Sequence, residues 1–156
     1  YLTKTNSYYA RYQLPNIERH LSSFISMSSP DNGSLNLIGK FFSSFKEELT
    51  ARIENDGKVW FPYCLELSNK LNASQTAEEL KELQLCTIKR EEDRIEALLY
   101  DLKSILIKHI SGEYNENLCY AVIFSIGSLE KDIKQHNRIR YRILAPMAMA
   151  MEQLCK

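Results

Sequence analysis

Residues 38–62, IGKFFSSFKEELTARIENDGKVWFP, hold the pattern that decides the fold. Ile38, Phe41, Phe42, Phe45, Leu49 and Ile53 recur three or four residues apart, which is the spacing of one helix face. Continued at that interval, the stripe lands on Arg52 and then Asp56, two charges where apolar side chains are due. Pro62 comes after the Val59-Trp60-Phe61 cluster. It lacks a backbone donor and is expected to kink or restart the helix before Leu65 and Leu67.

Outward from this segment the helical spacing continues. Leu14, Ile17, Leu21, Phe24 and Ile25 form the stripe of a first helix, which should stop at the turn signal over residues 28–33. Ser34 is placed to cap the second helix. The polar stretch over residues 69–76 reads as a connection, and a third helix carries Ile88, Ile95, Leu98, Leu99, Leu102, Ile105 and Leu106. Residues 112–117 read as a turn; Leu118, Val122, Ile126, Leu129 and Ile133 then lead a fourth helix towards Ile143. With few breakers and 156 residues, the chain is expected to be all-α: one domain over 1–156, an antiparallel up-down four-helix bundle.

Polar residues interrupt the other stripes as well. Glu92 lies between Ile88 and Ile95; Ile126, Leu129 and Ile133 lead to His136 and Arg140; and Leu14 projects back through Ala10 to Asn6. Six polar side chains, Asn6, Arg52, Asp56, Glu92, His136 and Arg140, are thus expected to share one interior layer. Charge on an inner face is costly unless paired. Arg52, Asp56, Glu92 and Arg140 are two cations and two anions, which suits a buried ion-pair network with His136 and Asn6 adding hydrogen bonds. Two rival readings remain open: Asp56, Glu92 and His136 could hold a single metal ion, or some of the six could simply reach solvent. Arg52, Asp56 and Pro62 also share their spacing with His136, Arg140 and Pro146, which suggests an internal pseudo-repeat.

These residues and their neighbours resemble the hemerythrin-like domain, particularly the branch found in bacterial iron–sulfur cluster repair proteins. Leu14-Pro15-Asn16-Ile17, Phe61-Pro62-Tyr63 and Glu92-Asp93-Arg94-Ile95-Glu96 are similar to the family's Leu-Pro-x-Ile, Phe-Pro-Tyr and His-Asp-x-Ile-Glu, and the likeness covers nearly the whole chain. The resemblance implies a four-helix bundle around an iron site with a His on each helix. Helices two and four follow that His with a Glu four residues on. Here the corresponding positions hold Asn6, Arg52, Asp56, Glu92, His136 and Arg140, so one His is kept and Asp56 is a shortened Glu. Arginine cannot be deprotonated to ligate, and two guanidinium charges repel a cation. The resemblance therefore implies a degenerate member with no metal, no cofactor and no catalysis. The alternative is an iron-binding protein of cluster repair or redox stress, with iron as its cofactor.

Net charge is zero, with 20 basic and 20 acidic residues, which excludes a strong overall field for nucleic acid or anionic lipid. No apolar run approaches a membrane span and no signal peptide is visible. Cys64, Cys86, Cys119 and Cys155 are scattered, as buried thiols of a reducing cytoplasm would be. His20 and His109 read as packing or surface residues, the Tyr8, Tyr9 and Tyr12 cluster as core or rim packing that could close the bundle's open end, and Met147, Met149 and Met151 as a closing turn or docking surface. The chain starts at Tyr1 without Met and is expected to be a fragment of a longer protein. Family members of similar appearance precede a LuxR-type helix-turn-helix in bacterial regulators. The expectation is a cytoplasmic regulatory, sensor or interaction domain, acting through a protein partner or a fused C-terminal DNA-binding domain, with homodimerisation open. A small-molecule sensor using the vacated cavity is a further version.

Overall fold

A computed structural model describes residues 1–28, 33–73, 94–108, 110 and 112–154; among these the regular structure is entirely helical. We number the helices α1 (Leu2–Tyr8), α2 (Leu14–Ser26), α3 (Gly33–Asn55), α4 (Phe61–Asn72), α5 (Ile95–Lys108), α6 (Glu116–Ile139) and α7 (Ala145–Leu154). Three wider π turns, Tyr9–Gln13, Asp56–Trp60 and Arg140–Leu144, join α1 to α2, α3 to α4 and α6 to α7 through backbone that stays right-handed helical.

Proline explains the π turns. Pro15, Pro62 and Pro146 each sit two residues after one of them, and the residue before each proline donates its N–H five residues back. Those bonds run from Leu14 to the Tyr9 carbonyl, from Phe61 to Asp56 and from Ala145 to Arg140. A proline ring crowds the carbonyl four residues earlier, and one extra residue in that turn relieves the clash without breaking the helix. The kink or restart expected at Pro62 takes the form of a wide, continuous turn, and beyond it Leu67 is buried while Leu65 is 65% exposed. The inserted residue also rotates the helical segment after it. Ile143, expected on the inner stripe, is 53% exposed, while Ala145 and Ala148 are buried.

The main core lies among α2, α3, α5 and α6, which pack in a closed ring: α2 on α6, α6 on α5, α5 on α3 and α3 on α2. Phe24, Ile38, Phe45, Leu49, Leu99, Leu102, Ile126 and Ile133 are all enclosed there, and full burial of each contributes about 1.5–3 kcal/mol. A smaller core between α4 and α7 holds Trp60, Cys64, Ala145 and Ala148. Along both long helical runs the polar positions fall between these two cores.

Element ends differ from expectation in three places. Ser34 lies inside α3, whose described span already includes Gly33. α4 runs through Asn72, so the first half of the expected 69–76 connection is helical. α6 begins at Glu116, because Asn115 accepts the Leu118 N–H at 3.0 Å and caps it, after a turn that takes Gly112 to φ 83°. Ile88, Glu92, His109, Cys86 and Cys155 lie outside the described residues. No described helix is long and apolar enough to cross a membrane.

Candidate functional site: a buried polar layer

Asp56 and His136 are both 0% exposed, and Asn6 and Arg52 are buried with them. Each stands at the mouth of a π turn or one turn before it, so the proline-induced widening and the polar layer coincide on three helical runs.

Two groups of bonds organise the layer. In the first, Asp56 accepts from Arg140 Nη2 at 2.6 Å on one carboxylate oxygen and from Asn6 Nδ2 at 3.1 Å on the other. Arg140 reaches only 12% side-chain exposure; its Nη1 donates to the Tyr141 hydroxyl at 2.7 Å, and its guanidinium lies over the Trp60 ring at 4.6 Å. In the second, Arg52 Nη1 donates to Asn137 Oδ1 at 2.9 Å, and Arg52 Nη2 faces His136 Nδ1 at 3.4 Å. A guanidinium has no acceptor, so this contact is a hydrogen bond only in the tautomer that leaves Nδ1 unprotonated. Asn137 relays the contact outward by donating to Glu96 Oε1 at 2.6 Å.

Tyr9 closes the layer from the first helical run, its ring 5.8 Å from that of His136. Burial, with Asp132 nearby, pushes the Tyr9 phenol well above its ordinary value against the opposing pull of Arg52. Among the described residues, Tyr9 Oη and Asn6 Oδ1 are buried without a hydrogen-bond partner. One turn further along, Gln13 donates to Asp132 at 2.8 Å. On the far side of α6, Glu130 is held by Lys103 and by Lys134. Burial works against its ionisation, but the bonds and charges of the two lysines outweigh that and hold the carboxyl below its usual range.

The structure thus brings together five of the six positions singled out in the sequence, and Glu92 lies outside the described residues. Asn137, Glu96 and Tyr9 were not singled out. Asn137 had a readable signal, since it lies four residues after Ile133 on the inner stripe. Tyr9, expected with Tyr8 and Tyr12 to pack in the core or at the rim, is fully enclosed, while Tyr8 and Tyr12 are exposed. His20, expected to be a packing or surface residue, is half-buried against the Ser125 hydroxyl at 3.1 Å. Cys64 and Cys119 are buried free thiols, and burial pushes both above the ordinary thiol value.

The described residues do not fit a two-iron centre. Among the described residues no three His, Cys, Asp or Glu side chains converge. Asp56, the carboxylate best placed to ligate, already has both oxygens occupied by an arginine and an amide. A divalent ion there would have to displace a fixed positive charge that cannot be neutralised. Compared with known proteins, the chain matches no family model, no curated protein and no solved structure.

Proposed function

We propose that this chain is a metal-free, non-catalytic domain of the hemerythrin-like type that serves as a regulatory, sensor or interaction module. The observation that carries the reading is the pair of guanidinium groups in the buried layer, Arg140 on Asp56 and Arg52 on Asn137 and His136. They stand at positions where the resembling family supplies iron ligands.

The up-down antiparallel bundle belongs to the same proposal, and three pairs of contacts support it. Along the first run and α6, Gln13 meets Asp132 and His20 meets Ser125, so one number rises as the other falls. Glu96 with Asn137 and Lys103 with Glu130 give the same sense for α5 and α6. Asn6 with Asp56 and Glu18 with Lys46 give it for the first run and α3. Within a longer bacterial protein, the module would act in the cytoplasm on a protein partner or on a C-terminal DNA-binding domain of the LuxR type.

The test is ferrous-iron binding by equilibrium dialysis, comparing the native chain with the variant Asn6→His/Arg52→His/Arg140→Glu. The native chain is expected to bind none above background, and the variant to gain affinity. Stoichiometric binding by the native chain overturns the proposal.

A further inference from the structure

From Ile133 to Met151 the sequence contains no Asp or Glu, yet it holds Lys134, Arg138, Arg140 and Arg142. Arg140 turns inward to Asp56, leaving Lys134, Arg138 and Arg142 at four-residue intervals. That spacing keeps three cations on one side of α6 and the π turn after it. All three are exposed, and all three line one surface cleft of ≈ 300 Å³ together with Glu96, Asn137 and Tyr141.

The balance of charge in this cleft is decided by what is already engaged. Glu96, its only acid among the described residues, accepts from Asn137 Nδ2 at 2.6 Å, and Lys134 is bonded to Glu130. Arg138 and Arg142 have no ion-pair or hydrogen-bond partner among the described residues. Two unengaged guanidinium forks, four residues apart beside a concave surface, match the geometry of a group with several anionic oxygens. The volume suits a small molecule rather than a polymer, and the chain's zero net charge offers a polyanion no long-range attraction.

We propose that this cleft binds a small organic anion bearing at least two negative charges, of the phosphoryl or polycarboxylate kind. Asn137 and Tyr141, which line it, are also the groups that hold Arg52 and Arg140. An anion seated there touches the bonds that fix the interior layer, so the site supplies a signal to which the layer can respond. Anion binding itself does not depend on the metal-free reading, which iron uptake decides separately.

The experiment is isothermal titration of the whole chain with pyrophosphate and with citrate at about 0.15 M salt, where long-range attraction is screened. Saturable one-to-one binding of either is expected, and the one preferred tells phosphoryl from carboxylate chemistry. Arg138→Gln/Arg142→Gln, both solvent-facing changes, is expected to weaken binding by about tenfold or more. Lys131→Gln, on the same helix but outside this cleft, is expected to leave it within about twofold. The proposal is overturned if neither anion saturates, if the double variant binds like the native chain, or if Lys131→Gln loses as much. Tighter binding of a short oligonucleotide than of both anions also overturns it.

Discussion

Arg140→Met removes the guanidinium from a carboxylate that is fully enclosed while keeping most of the side chain's length and apolar volume. Asp56 then retains a single bond, from Asn6 at 3.1 Å. Breaking a buried ion pair from one side typically costs about 3–5 kcal/mol. Loss of the contact over Trp60 adds roughly 0.5–2 kcal/mol, part of which the Met side chain restores by packing on the ring. The expected destabilisation is therefore about 3–5 kcal/mol, or a fall in Tm of roughly 6–20 °C for a chain of this size. Urea unfolding at pH 7 measures it. Asp56→Asn/Arg140→Met should lose much less than the sum of its two single variants, because neither charge is then stranded. An Arg140→Met variant within about 0.5 kcal/mol of the native chain would refute the reasoning.

Three further outcomes are expected. Tyr9→Phe deletes a buried hydroxyl that has no partner among the described residues, so it should leave stability unchanged or raise it by about 1 kcal/mol; a clear loss in thermal melting would show the hydroxyl engaged. Glu130 is held below the usual carboxylate range, so its contribution is full above that range and is lost as pH falls through the depressed value. Urea melts of the native chain and Glu130→Gln should differ at pH 7 and converge in stronger acid, and a difference that persists there contradicts the assignment. Gly127→Ala places a methyl where nothing lies within 4 Å, in mid-helix, and should stabilise by roughly 0.5–1 kcal/mol; a loss in urea unfolding would mean that this side of α6 is covered.

The helices and most of the core were legible because burial imposes one period on the sequence. Phe45, Leu49, Leu99, Ile126 and Ile133 were each expected inside and are each enclosed. The polar layer was legible for the same reason, since Arg52, Asp56 and His136 fall on those stripes. What periodicity missed was the change of period itself. A π turn adds a residue, so projection at 3.6 residues per turn carried Ile143 inward when Ala145 takes that place. The prolines two residues after each π turn were in view, but a proline alone does not distinguish a kink, a restart and a widened turn. The bond partners were less legible still. Which carboxylate Arg140 takes, and that Arg52 turns to Asn137, depends on side-chain reach across helices, which spacing along one helix does not encode.

The central claim is that two permanent cations sit inside the molecule, at Arg52 and Arg140. It is tested most directly by the exchange of their guanidinium protons in ¹⁵N-resolved NMR, with exposed Arg142 as the internal reference. Slow exchange at both, with resolved signals that Asn137→Ala releases for Arg52 and Asp56→Asn releases for Arg140, is the expected result. Exchange at Arg52 and Arg140 as fast as at Arg142 would contradict the account.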